Sequence, residues 1–107
     1  MMYRSFIFLS LFLVTVTSMG AEDQKLVVIA GKPSHPPRMH EFNAGVQLLA
    51  KCLADYPGLD LRVSLNGWPQ DETLFDEVDA VVFYMDGGPR HEAVQEDGRR
   101  LRIIDEW

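Results

Sequence analysis

All three histidines of the chain lie in polar segments that directly follow apolar runs. His35 and His40 come after the run 25–30, with Glu41 next to the second of them, and His91 comes after a second apolar run. A neutral imidazole can accept a proton near neutral pH or bind a divalent metal, and a neighbouring carboxylate can orient it. We therefore predict His35, His40 and Glu41 as catalytic residues, with a histidine as general base or metal ligand and Glu41 orienting it.

The segment between the second apolar run and His91 supplies the other candidate groups. Asp86 offers a carboxylate, and the two glycines behind it predict a turn with positive φ. The predicted ligand-binding residues are Asp86, Gly87, Gly88 and His91. The predicted metal ligands, for a divalent cation such as zinc, are His35, His40 and His91. The alternative is that these histidines are ordinary surface loop residues and that Glu41 caps a helix.

Short apolar runs and one amphipathic stretch predict the elements that position these groups. The runs 25–30 and 80–85 are unbroken and contain β-branched residues, which is typical of strands covered on both faces. Residues 61–65 alternate between apolar and polar, as a half-exposed edge strand does. Over 41–56 the apolar residues recur every three or four positions, which predicts an amphipathic helix.

This order of elements predicts an α/β fold with a flavodoxin-like parallel sheet in the strand order 2-1-3. Strands one and three are then neighbours at a switch point, so the loops that follow them face one crevice. A short helix over 71–76 precedes strand three, and a helical segment from near Gln95 runs to residue 107 with no strand after it. We therefore predict an incomplete sheet, with residues 21–107 as the amino-terminal part of a longer domain. The alternative is a small autonomous module.

The first twenty residues have the pattern of a secretory signal peptide. Arg4 precedes an apolar stretch over 6–16, and residues 18–20 (Ser-Met-Gly) match a small-x-small cleavage site. The apolar stretch is about half as long as the roughly 20 residues that a membrane span needs. We predict a signal peptide over 1–20 and a periplasmic or secreted mature chain that does not insert into a membrane after cleavage.

The charge of the chain disfavours some classes of partner. The formal net charge is −6, which disfavours nucleic acid and anionic membranes. The one basic cluster, Arg99, Arg100 and Arg102, is surrounded by acidic residues and is typical of a solvated helix face. The single cysteine, Cys52, cannot form an intramolecular disulfide. Its place in the amphipathic helix predicts a buried thiol.

Four segments carry a resemblance to a known family: 28–35 (VIAGKPSH), 40–45 (HEFNAG), 66–69 (NGWP) and 82–88 (VFYMDGG). Together they resemble the ThuA-like, or trehalose-utilisation, family, especially its exported bacterial members. The resemblance implies a class I glutamine amidotransferase-like fold without the amidotransferase catalytic set, and a link to carbohydrate metabolism. It also implies a pocket lined by His35, His40, Glu41, Asp86, Gly87, Gly88 and His91. The sequence departs from the family pattern at Pro-Pro-Arg after His35, and the family domain is normally longer than this chain.

The residues and the resemblance together predict an exported protein that processes a sugar or glycoside, with a small-molecule carbohydrate as its partner. Whether it is an enzyme, for example one with a hydrolase-like activity on glycosides, stays open at this point. One alternative is a non-catalytic carbohydrate-binding or scaffolding module in which Trp68, Tyr84 and Trp107 provide stacking surfaces. The other alternative is an inactive fragment.

Overall fold

Three parallel strands form the sheet of the computed structural model, which describes residues 22–106. The strands are β1 (Gln24–Ala30), β2 (Leu59–Ser64) and β3 (Ala80–Tyr84), and the helices are α1 (Phe42–Leu53) and α2 (Arg99–Glu106). The strand order is β2-β1-β3, and both pairings are parallel. The predicted α/β fold and the predicted order 2-1-3 are therefore confirmed. The predicted signal peptide over 1–20 lies outside the described residues.

The central strand β1 is the most deeply buried part of the described chain. Val27, Val28, Ile29 and Ala30 are each 0% exposed. A strand paired on both sides and covered on both faces has no solvent-facing position, so its sequence is a continuous apolar run. The strands on either side each have one free edge within residues 22–106, since the sheet there has three strands.

Each face of the sheet has its own hydrophobic core. On one face Val28 and Ala30 pack against Phe42 and Val46 of α1. The alternation of side chains along β1 sends Val27 and Ile29 to the opposite face. There they pack with residues from the β2–β3 connection, β3 and α2: Phe75, Trp68, Leu74, Val78, Val81, Phe83, Met85 and Ile103.

The last helix starts later than the sequence predicts. Glu96, Asp97 and Gly98 have φ values of 57°, 51° and 77°, and three consecutive residues in the left-handed region cannot continue a right-handed helix. Two 3₁₀ turns, Gly88–Arg90 and Glu92–Val94, occupy the preceding stretch. The prediction of a helix from near Gln95 is therefore wrong, and α2 begins at Arg99.

The cysteine is exposed, so the prediction of a buried thiol is wrong. The buried residues of α1 are Phe42 and Val46. At about 100° per residue, Cys52 lies about 120° around the helix axis from Val46 and so falls outside the stripe that faces the sheet. Leu48 on the same outer side is 64% exposed. Among the described residues, no helix is both long and apolar enough to cross a membrane.

Arginines of α2 attach the carboxyl-terminal segment to the second core. Arg99 forms a two-pronged ion pair with Glu72, at 2.9 and 2.8 Å. Arg100 has a side chain only 13% exposed, pairs with Glu92, and lies 5.2 Å from the centre of the Trp68 ring. The expectation of a solvated arginine cluster is therefore wrong for Arg100, because its guanidinium lies over an aromatic ring and pairs with a carboxylate that is itself only 13% exposed.

Gly31 lies where the ends of β1 and β3 approach each other. Its N–H donates to the carbonyl of Tyr84 at 2.9 Å. A Cβ atom at this position would lie 2.4 Å from Cβ and 3.1 Å from Cα of Met85. Any side chain larger than hydrogen would therefore force the backbones of the two strands apart.

We expect Gly31→Ala to lower the free energy of unfolding by about 1 to 3 kcal/mol, the usual effect of overpacking. The matched control is Gly87→Ala, because Gly87 has φ of −100° and no atom within 4 Å of its added Cβ. The control should stay within about 0.5 kcal/mol of the parent. Urea unfolding followed by circular dichroism measures both, and equal midpoints for the two variants would contradict the close approach.

The ion pair of Glu72 predicts a pH-dependent stability. Hydrogen bonds from Arg99 and then Trp68 lower the pKa of Glu72 from 4.5 to about 2. Because this pKa is depressed in the folded chain, the stabilisation is complete above about pH 4.5 and is lost as the pH falls toward 2. Both partners are about a third or more exposed, so solvent screening limits the contribution to about 1 kcal/mol.

Glu72→Gln should therefore be less stable than the parent by about 1 kcal/mol at pH 7, with a smaller difference at pH 3. Urea unfolding at the two pH values gives the comparison. The exposed residue Asp55 provides the control Asp55→Asn, for which we expect little difference from the parent at pH 7. A Glu72→Gln deficit that stays constant down to pH 3 would show that the loss is not electrostatic.

Candidate functional site

The loops that follow β1 and β3 leave the sheet side by side. A backbone hydrogen bond from Gly31, just after β1, to Tyr84, the last residue of β3, joins the two strands where they end. His35 and His40 lie on the first loop, and Asp86 lies two residues past the end of β3. The switch point of the sheet therefore brings together groups that are about fifty positions apart in the chain.

Two histidines and one carboxylate form a cluster at this point. Nδ1 of His40 lies 3.0 Å from Oδ1 of Asp86, and Nδ1 of His35 lies 3.5 Å from Oδ2 of the same carboxylate. The centres of the two imidazole rings are 4.2 Å apart. We call His35, His40 and Asp86 the His–His–Asp cluster. Half of the His40 side chain and just over a third of each of the other two are exposed, so small molecules can reach all three.

Ser34 supports the carboxylate of the cluster. A hydrogen bond from Ser34 lowers the pKa of Asp86, desolvation opposes this, and the hydrogen bond from His40 lowers it further. The Ser34 hydroxyl also lies 2.9 Å from Nδ1 of His35. Asp86 is therefore ionised at neutral pH, where it can orient both imidazoles.

The loop between β1 and α1 owes its shape to backbone constraints. Prolines at 33, 36 and 37 fix φ, and Arg38 and His40 have φ of 72° and 51°. The carboxylate of Glu41 accepts a hydrogen bond from the backbone N–H of Arg38. Glu41 occupies the N-cap position of α1 without a side-chain capping bond. The side chain of Glu41 thus bonds to the loop backbone. The carboxylate that contacts His40 is that of Asp86.

A pair of asparagines fixes the start of α1 relative to β2. The side-chain amide of Asn43 donates to Oδ1 of Asn66 at 2.7 Å, and its carbonyl oxygen accepts from the backbone N–H of Asn66 at 3.0 Å. Asn66 has φ of 63°, a conformation that asparagine tolerates better than most residues. Gly67, which follows it, donates to the carbonyl of Ala30 at 2.7 Å. The helix that begins directly after the His40 loop is therefore attached to the end of β2, which is in turn bonded to the end of β1.

The third histidine is not part of the cluster. Nδ1 of His91 accepts a hydrogen bond from the backbone N–H of Ala93 at 3.1 Å, and its ring packs edge-on against Phe83 at 5.9 Å. His91 thus caps a 3₁₀ turn. The three residues whose ligand atoms lie within 4.8 Å of one another are His35, His40 and Asp86. Of the neighbouring glycines, Gly88 has φ of 69° and makes the predicted turn.

An open cleft of about 580 Å³ lies beside the cluster. This volume falls in the range of small-molecule sites. The side chains that line it are mostly polar: Lys32, Ser34, His35, Asp86, Arg90 and Glu92. A smaller depression of about 290 Å³, lined by His35, His40 and Glu41 among others, adjoins it. Since His35 lines both, the cluster stands between the two depressions.

Sequence reasoning missed four polar residues of the cleft, namely Lys32, Ser34, Arg90 and Glu92. Lys32 forms an ion pair with Glu92 at 3.3 Å, and Arg90 lines the same cleft. Burial would raise the pKa of Glu92, but the hydrogen bonds from Arg100 and Lys32 outweigh it and hold the pKa below its ordinary value. These residues are neighbours in sequence of predicted site residues, and that adjacency was the only signal by which they could have been found.

Comparisons with known proteins identify no relative. No protein-family model, no curated protein and no solved structure matches the chain. The resemblance to the ThuA-like family therefore rests on the four sequence segments quoted above and stays a prediction.

Ser34→Ala should raise the pKa of Asp86, because it removes the hydrogen bond that lowers this pKa most. Carbon-detected NMR titration of the side-chain carboxyl group measures the change. Ser64 at the end of β2 lies across β1 from β3, so Ser64→Ala is the matched control and should leave the titration of Asp86 unchanged. Identical Asp86 curves in the parent and in Ser34→Ala would contradict the proposed support.

Proposed function

We propose that this chain is an exported ThuA-like protein that processes a small sugar or glycoside in the cleft at the carboxyl ends of β1 and β3. The observation that carries the proposal is the assembly of His35, His40 and Asp86 beside a polar cleft of about 580 Å³. The sequence resemblance to a carbohydrate-linked family supports the choice of substrate class. The predicted signal peptide supports export.

His40 is the proposed general base. Asp86 contacts its Nδ1 atom at 3.0 Å, which leaves Nε2 to take a proton from a hydroxyl group or a water molecule. A carboxylate on one imidazole nitrogen favours the tautomer with the other nitrogen free and stabilises the imidazolium that forms. Asp86 is thus the proposed positioning residue, the role that the sequence suggested for Glu41.

The cleft has the polar groups that a sugar requires. Lys32, Arg90 and the hydroxyl of Ser34 can donate hydrogen bonds, and Glu92 can accept them. Sugar hydroxyls both donate and accept, so a wall that contains both kinds of group binds them well. Stacking on Trp68 is not part of the proposal, because this ring packs against Phe75 and Arg100.

The test is to incubate the purified protein with trehalose and with p-nitrophenyl α-glucoside and to follow product formation by NMR and absorbance. His40→Ala should lower the rate by about 100-fold or more, the usual loss on removing a general base. Asp86→Asn should lower kcat more than it changes KM, because it alters the orientation of the imidazole. Lys51→Ala, an exposed change in the last turn of α1, is the control and should keep the parent rate.

Calorimetry with the same two sugars separates catalysis from binding. Saturable binding together with turnover that depends on His40 supports the proposal. Saturable binding without any product would contradict it and favour the non-catalytic binding module. Turnover that persists in His40→Ala, with unchanged circular dichroism, would contradict the assignment of the base.

A further inference from the structure

We infer that the His–His–Asp cluster is a binding site for one divalent cation of the zinc class, with His35, His40 and Asp86 as the three protein ligands. The inference goes beyond the proposed function, because it depends on the cluster and not on any sugar. It also differs from the ligand set expected from the sequence, in which His91 took the place of Asp86.

The separations between the donor atoms suit such a cation. Zinc binds imidazole nitrogen and carboxylate oxygen at about 2.0 to 2.2 Å, so neighbouring donors in a tetrahedral site are about 3.3 to 3.5 Å apart. Here Asp86 lies 3.0 Å from Nδ1 of His40 and 3.5 Å from Nδ1 of His35. All three ligand atoms lie within 4.8 Å of one another. Both histidine–carboxylate separations are therefore within a few tenths of an ångström of the tetrahedral value.

The chemistry of the donors also fits. Two neutral imidazoles and one ionised carboxylate are a usual set for a catalytic zinc site, which keeps a further position open. The hydrogen bond from Ser34 to the carboxylate of Asp86 can orient this ligand, as the groups around metal ligands usually do.

The cluster borders the cleft, so the open coordination position of a bound cation would face a small molecule in the cleft. The three side chains are each a third to a half exposed, and His35 and Asp86 line the larger cleft. Water bound to a cation here would face the proposed substrate and ionise near neutral pH. In the metal-loaded protein this hydroxide would take over the role of base from Nε2 of His40.

The backbone holds two of the ligands in place without the metal. His40 and Arg38 have left-handed φ values, and the carboxylate of Glu41 fixes the N–H of Arg38. Asp86 lies two residues after β3, and the last residue of β3 accepts a hydrogen bond from Gly31. A site that is largely assembled before binding loses less entropy when the cation binds.

The test is calorimetric titration of the chelator-treated full chain with Zn²⁺, in the absence of any sugar. We expect one Zn²⁺ per chain. Co²⁺ should bind at the same stoichiometry and give the intense visible absorption of a four-coordinate ion. His35→Ala, His40→Ala and Asp86→Asn should each raise the dissociation constant for Zn²⁺ by at least about 100-fold. Ser34→Ala should raise it by about tenfold.

Two further variants make the result specific. His91→Asn retains a side-chain oxygen that can cap the 3₁₀ turn and should bind Zn²⁺ as the parent does, whereas a loss would favour the set containing His91. Asp55→Asn is the control for Asp86→Asn and should also bind normally. Circular dichroism verifies that each variant is folded.

Failure of this inference and failure of the proposed function can be told apart. A parent that binds no stoichiometric Zn²⁺, or binds it equally well when His35, His40 and Asp86 are all replaced, overturns the metal site. Sugar turnover by the chelator-treated parent then still tests His40 as the base. Stoichiometric Zn²⁺ binding without turnover of either sugar supports the metal site and counts against the sugar.

Discussion

The parallel pairing of β1 with a strand on each side is the constraint on which the other features depend. It buries residues 27–30 completely and divides the hydrophobic core into two parts, one under α1 and one under the β2–β3 connection and α2. It also makes the loops after β1 and β3 neighbours. Because parallel strands present their carboxyl ends at one edge, Asp86 comes to within 3.5 Å of both His35 and His40.

The sheet and most of the cluster could be predicted from the sequence because both follow from long-range regularities. Two unbroken apolar runs indicate strands buried on both faces, and one alternating run indicates an edge strand. Their order in the chain then determines which loops meet. That argument was sufficient to bring His35, His40 and Asp86 to one crevice, and the structure shows them in contact.

Local geometry decided the features that could not be predicted. The hydrogen bond from the backbone of Arg38 to Glu41 depends on loop dihedral angles that no periodicity encodes. The same is true of the turn that His91 caps and of the left-handed residues before α2. Patterns of hydrophobicity report which face is buried, but they do not report where a polar side chain finds its hydrogen-bonding partner.

The left-handed backbone of His40 has a consequence for how this position tolerates variation. At φ of 51°, glycine would be less strained than histidine, by about 1 kcal/mol. A library of variants sorted only for folding should therefore drift away from histidine at this position, while one sorted for the chemistry of the cleft should retain it. Opposite preferences under the two selections would show that the imidazole at this position serves the chemistry of the cleft and lowers the stability of the fold.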